Sequence, residues 1–220
     1  MIRGSDVTVV IPTIEGREDL YRRAVESVAA QQVHPAAVQV QLDVARRGAA
    51  WARNDALTHV TTPWVAWLDD DDELKPNHIK VLVRAANKSG ADLVFSYAEF
   101  VGGRDPLACL DDNRKLVPEP IDVPFGPIQE HSLRTHGNFI PVTYMVKTEF
   151  VRRVGGFPEP YSFEAKNSGD CEDYGLLLRL LDAGAKFYHA CGVRTWVYHY
   201  HEGNLGGRGV NRMHELGSES

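Results

Sequence analysis

Residues 64–74 read WVAWLDDDDEL, an apolar run of strand length that ends in five consecutive acids. Trp64, Val65, Ala66, Trp67 and Leu68 have the bulk and continuity of a buried strand, and Asp69, Asp70, Asp71, Asp72 and Glu73 follow without a break. Adjacent carboxylates repel one another and lose hydration on burial. The run is therefore expected outside the core, at a strand end where solvent or a cation takes up the charge. Its fusion to a strand, with Pro76 near an expected helix start, argues against a disordered acidic tail. Two readings fit: a solvated turn, or a site for a hard divalent cation, since Mg²⁺ and Mn²⁺ favour carboxylate oxygens and bridge to phosphates.

Strand-and-helix units repeat on either side of this stretch. Val7 to Ile11 runs apolar without polar alternation, as a buried parallel strand does, and Pro12 is expected to stop it, leaving Thr13 to Gly16 as a loop at its carboxyl end. From Arg17 to about Gln32 the period becomes helical, with Leu20, Ala24 and Val28 on one stripe. Val38, Val40 and Leu42 alternate as a second strand ending at Asp43, and Arg46 to Val60 offers a second helix. Beyond the acids, His78 to Asn87 reads as a helix closed by Gly90, and Leu93 to Phe100 as a fourth strand. Short strands separated by single helices specify an α/β fold with a mostly parallel open sheet, whose ligands bind beyond the strands' carboxyl ends. The loop after Pro12, Asp43 and the acidic run all fall on that edge.

The second half is less periodic. Val101 to about Gly126 carries Gly102, Gly103 and four prolines, and reads as a long excursion. Phe139 to Met145 resembles a strand interrupted by Pro141, and Lys147 to Val154 a short helix ending at Gly155 and Gly156. An exposed loop is expected over 161–169, and then Cys171 to Leu181 turns helical with Glu172 and Asp173 in its first turn, where the helix dipole favours acids. Alternation returns at 186–190 and at 195–201, placing His199 and His201 on one strand face and Tyr198 and Tyr200 on the other. The Gly-rich tail beyond Gly206 is expected to be poorly ordered.

With 220 residues, 43% of them hydrophobic, the chain can bury one substantial core, so a single domain is expected. A formal charge of −6 provides no global basic field for nucleic acid. Cys109, Cys171 and Cys191, odd in number and widely spaced, match neither a disulfide scaffold nor a zinc motif, and no apolar run has the length of a signal peptide or a transmembrane span. A cytoplasmic protein is expected, and self-association stays open.

In this order the motifs resemble the family 2 glycosyltransferases, whose GT-A fold joins a nucleotide-binding α/β sheet continuously to an acceptor-binding half. The resemblance runs from about Val7 to His201 and rests on six elements: Pro12–Thr13 after the first strand, Asp43 after the second, Ala52–Arg53–Asn54 early in a helix, LDDDD, Gly155–Gly156–Phe157, and Glu172–Asp173–Tyr174 opening a helix. It implies a nucleotide-sugar-binding half over 1–100 and an acceptor-binding half over 101–220 of one domain. It also implies a nucleoside-diphosphate sugar as donor substrate and Mn²⁺ or Mg²⁺ as cofactor.

By that resemblance Asp69 and Asp71 form the Asp-any-Asp pair, Asp69 on the ribose side and Asp71 on the cation, with Asp70 between them; Asp70 and Asp72 offer the same spacing. Pro12, Thr13, Glu15 and Asp43 would hold base and ribose, while Arg53 suits a phosphate or an acidic partner. Asp173 matches the general base that takes the acceptor proton in inverting members, with helix capping as the alternative, and Glu172 would orient the acceptor or support the loop. His201, with His199 as second candidate, resembles the late histidine that completes the metal shell in several GT-A enzymes; stacking between aromatic residues is the alternative. His136 is a candidate for the acceptor cleft, and the four tryptophans read as core.

The turn after the second strand departs from the family. Val44, Ala45, Arg46 and Arg47 stand where an acidic, Gly/Ser-rich turn is common, so the base is left open. The acceptor is open too, among a glycan, a lipid-linked sugar, a protein, a small molecule and a modified nucleic-acid base. The competing readings are a nucleotidyltransferase, whose Gly-rich basic loop is missing here, and a non-catalytic carbohydrate-binding protein, in which erosion of the acids would be expected.

Overall fold

The computed structural model describes residues 1–103, 108–110, 116–120, 126–128, 133–134, 138–159, 172–190 and 194–200. Its centre is a seven-stranded sheet. Strands β1 (Val7–Thr13), β2 (Ala37–Leu42), β3 (Trp64–Trp67) and β5 (Leu93–Phe95) alternate with helices α1 (Glu18–Ala29), α2 (Ala49–His59) and α3 (His78–Ser89). Between β3 and α3 lies the two-residue strand β4 (Glu73–Leu74). Strand β6 (Ala98–Val101) is followed by a hairpin of β7 (Ala108–Leu110) and β8 (Leu116–Pro120), and by β9 (Gly126–Pro127). After these come β10 (Tyr144–Lys147), α4 (Thr148–Arg153), α5 (Glu172–Asp182), β11 (Phe187–His189) and β12 (Trp196–His199). The order in the large sheet is β2-β1-β3-β10-β5-β11-β9.

Every residue of β1 is buried, and its side chains alternate between two cores. Val7, Val9 and Ile11 face α1 and α3 with Trp64, Ala66 and Leu68, whereas Val10 faces α2, α4 and α5 with Val65, Trp67 and Phe95. Trp64, Trp67 and Trp196 are core residues as expected; Trp51 is half-buried beneath the Arg47 guanidinium.

Three local expectations are corrected. Strand β1 passes through Pro12 to Thr13, because its pairing with β3 ends at Val10 and a proline beyond that point interrupts no ladder on that side. Leu93 to Phe100 is two strands: β5 stays in the large sheet, while β6 crosses to a three-stranded sheet of order β4-β12-β6. The strand expected from Phe139 begins only at Tyr144, and it inserts antiparallel between β3 and β5. The sheet is therefore mixed, with β10 and β9 running against the other five strands.

Parallel β1, β2 and β3 deliver Thr13, Asp43 and the acidic run to one edge, where the Asp43 N–H donates to the Thr13 carbonyl at 2.8 Å. The small sheet brings β12 beside β4, so that His199 arrives next to Asp72 and Glu73. No described helix is long and apolar enough to cross a membrane. His136, Cys171, Cys191, His201, the 161–169 loop and the tail beyond Gly206 lie outside the described residues.

Candidate active site

The acidic run folds as a tight turn off the end of β3, closed by the Asp72 N–H donating to the Asp69 carbonyl at 3.2 Å. The expectation that these acids stay outside the interior holds for only part of the run. Asp70 and Asp72 are buried at 5% and 1% exposure, whereas the Asp69 side chain keeps 31%. Internal partners make the burial tolerable. The Thr13 hydroxyl donates to Asp70 at 2.7 Å, the Arg17 guanidinium lies 2.7 Å from Asp71 and 3.2 Å from Asp70, and the His199 backbone N–H donates to Asp72 at 3.1 Å. Arg23 donates to the Asp71 carbonyl at 2.7 Å and pairs with Glu73 at 3.2 Å.

Crowding raises these carboxyls' affinity for protons. Burial pushes Asp70 up to about 6, against the pull of Thr13 and Arg17. Burial, reinforced by Asp69 and Asp71, holds Asp72 well above the ordinary carboxylate range. Asp69 is raised by burial as well, with Arg53 pulling it back. Asp69, Asp71 and Asp72 each present an oxygen, all within 4.8 Å of one another. This all-oxygen donor set fits a hard divalent cation, whose charge would offset the crowding.

Helix α2 supplies the link to the second half of the chain. Arg53, 4% exposed, reaches Asp69 at 2.5 Å with one nitrogen and Glu172, at the start of α5, at 3.5 Å with the other. Its guanidinium also lies 5.2 Å from the Phe157 ring, which packs edge-on against Trp67. Burial disfavours the Arg53 charge, but Asp69 and Glu172 outweigh it and its proton is held more tightly than usual. Asn54, the next residue, donates to the Phe157 carbonyl at 2.9 Å and accepts the Phe157 N–H at 2.8 Å, pinning the Gly155–Gly156–Phe157 turn to α2.

Asp173 is half-buried in the first turn of α5, with one oxygen accepting the Tyr174 N–H at 2.9 Å and the other the Asn138 amide at 3.1 Å. The Tyr144 hydroxyl is buried without a hydrogen-bond partner, and its proton is held more tightly by burial and then by Asp173. Asp43 is buried with one oxygen on the Gly48 N–H at 2.7 Å and the other without a partner. A buried acceptor in that state invites a donor from outside the chain.

A glycosyl transferase family 2 model matches residues 38–106, covering β2, α2, the acidic turn and β5. Solved structures of S. aureus TarS align across most of the chain. The TarS 1–349 complex with UDP-GlcNAc superposes with a TM-score of 0.69 at 15% identity, covering 92% of this chain and 60% of that one. The chain shares the fold of these TarS structures. TarS 1–349 without the nucleotide sugar gives 0.67 over 88% and 60% of the two chains, and longer TarS gives 0.65 over 88% and 36%. The chain thus spans about three fifths of the TarS 1–349 chains it matches. No curated protein sequence matches it.

Within this fold, the expected residues divide. Asp69 to Asp72, Thr13 and Arg53 converge, and Arg53 meets the acidic partner that was one of its two readings. Glu15 is exposed. The His199 imidazole hydrogen-bonds Glu73 at 2.7 Å and is not among the Asp69, Asp71 and Asp72 cluster, and its contact with Asp72 runs through its backbone N–H. Arg17, Arg23, Asn138 and Tyr144 were not foreseen. For Arg17 a signal existed: a cation in the loop after β1, on the same sheet edge as five acids.

Proposed function

We propose that the protein is a metal-assisted glycosyltransferase that moves a sugar from a nucleoside-diphosphate donor to an acceptor hydroxyl with inversion. The observation that carries this reading is Arg53. One buried guanidinium spans the acidic turn and the start of α5, so the donor-side carboxylates and Asp173 are oriented by one rigid helix. Residues 1–100 then serve the donor and residues 101–220 the acceptor. The widely spaced cysteines suit the reducing cytoplasm.

Asp71, with Asp69 and Asp72, would hold Mn²⁺ or Mg²⁺, which would neutralise charge on the departing diphosphate. The open oxygen of Asp43 accepts from base or ribose, beside Pro12 and Thr13 at the end of β1 and Glu15 in the turn that follows, and Asp70 supports that strand end through Thr13. Glu172 and Arg53 fix the start of α5. Asp173 takes the proton of the acceptor hydroxyl. The freed oxygen bonds to the anomeric carbon as the bond from that carbon to the diphosphate breaks on the opposite side, its electron pair leaving with the nucleotide. Because TarS was solved with UDP-GlcNAc and with UDP, UDP-GlcNAc is the first donor to try.

Calorimetric titration with a panel of nucleoside-diphosphate sugars, with and without Mn²⁺, tests the donor site. One sugar nucleotide should bind in a metal-dependent way, and Asp71→Ala should lose it. Asp173→Asn should keep that binding and lose about 10²- to 10⁴-fold in turnover. Absence of nucleotide binding under every condition would remove the donor reading, and an active Asp173→Asn enzyme would remove the base assignment.

A further inference from the structure

The Arg17 guanidinium lies directly on the Asp71 carboxylate, and it belongs to no role given above. It stands at the foot of α1, immediately after Gly16, whose φ of 86° turns the chain out of the β1 loop. The Arg17 side chain is 28% exposed, far more than the buried Arg53, so it can swing without vacating a packed site. Its two partners differ. Asp70 has a second donor in Thr13 and is outside the three-carboxylate cluster, whereas Asp71 is one of that cluster's members.

We propose that Arg17 is an exchangeable internal cation that couples metal binding to diphosphate binding; this rests on the metal reading of Asp69, Asp71 and Asp72. Without donor, the guanidinium neutralises Asp71 and repels a divalent cation arriving at the same carboxylate, so it weakens metal binding. A diphosphate reverses the sign. Placed between metal and guanidinium it attracts both, and Arg17 turns from the carboxylates to the phosphate oxygens, for which its planar fork of donors is suited. Metal and diphosphate therefore bind more tightly together than separately, and the coupling is reciprocal. Arg23 serves as an internal comparison. It carries the same charge nearby, but it bonds the Asp71 backbone carbonyl and the Glu73 carboxylate.

The test is Mn²⁺ binding to the whole chain, read from the loss of the free Mn²⁺ electron paramagnetic resonance signal, for wild type, Arg17→Gln and Arg23→Gln. Circular dichroism establishes that each variant is folded. Arg17→Gln should bind Mn²⁺ alone about fivefold more tightly than wild type, the small end of coupling between sites. It should also bind Mn²⁺–pyrophosphate, the diphosphate part shared by all such donors, several-fold more weakly. Arg23→Gln should show no such tightening. If wild type binds Mn²⁺ and Arg17→Gln binds it equally or more weakly, Arg17 is a structural clamp and the exchange is overturned while the metal reading stands. Equal tightening in both variants overturns the exchange in favour of a general charge effect. If wild type and both variants fail to bind Mn²⁺, the metal reading falls and the exchange with it.

Discussion

Replacing Arg53 by Met isolates the joint between the two halves of the site. The change keeps a long apolar stem in α2 but removes the guanidinium, leaving Asp69 and Glu172 without the cation between them. Breaking a buried ion pair typically costs about 3–5 kcal/mol, because the surviving partner stays charged and out of water. Here Asp69 keeps 31% and Glu172 23% of its side-chain exposure, so solvent screens part of the loss and roughly 2–3 kcal/mol is expected. In a chain of 220 residues that lowers the melting temperature by roughly 5–10 °C. A thermal melt followed by circular dichroism in EDTA measures it. Adding Asp69→Asn to Arg53→Met removes the stranded charge and should recover part of the loss. A single variant melting within about 1 °C of wild type, or a double variant no more stable than the single, would refute the view that Arg53 is held by its carboxylates.

Two other perturbations probe the same region. Gly156 has a φ of 75°, and a β-carbon there would stand 2.3 Å from the Asn54 side-chain oxygen, so Gly156→Ala should destabilise the protein by roughly 1–3 kcal/mol in a denaturant titration. Stability of the metal-free protein should depend on pH through Asp70, whose folded-state value of about 6 lies above the ordinary 3.8. A raised carboxyl favours the fold at low pH, so this contribution is complete below pH 4 and disappears as pH rises through 6, a loss on the order of 3 kcal/mol. Asp70→Asn should flatten that part of the melting-temperature profile in EDTA; an unchanged slope would contradict it.

The strands of the first half were legible because burial on both faces demands unbroken apolar runs, and β1 and β3 supply them in Val7–Ile11 and Trp64–Leu68. Strand direction leaves no comparable mark. Tyr144–Lys147 carries the same kind of residues whether it runs with or against its neighbours, so the antiparallel insertion of β10 was invisible. The division of Leu93–Phe100 was hidden for a related reason. The chain changes sheets at Ser96, whose hydroxyl meets Thr195 and whose carbonyl accepts the Trp196 indole N–H at 3.0 Å, and both partners lie about a hundred residues away.

At the site, the acidic turn, Arg53 and the start of α5 could be located because charge fused to a strand or a helix start is conspicuous. The interior position of Asp70 and Asp72 could not, since it depends on Thr13 and on the His199 backbone N–H, neither of which is marked by charge. Local electrostatics predicts that five adjacent acids point outward, and that holds until the rest of the chain supplies countercharges. Arg17 and Arg23 come from the first half of α1 and its N-terminal edge and Arg53 from α2, so the countercharges reach the turn from elements distant in sequence. Asp69 is met by Arg53, Asp71 by Arg17 and Glu73 by Arg23, whereas Asp72, which shares an oxygen-lined centre with Asp69 and Asp71, is met by the His199 backbone N–H and holds its proton unusually tightly. If a divalent cation occupies that centre, its binding is coupled to folding, and the melting temperature should rise with the logarithm of the ratio of free cation to its dissociation constant.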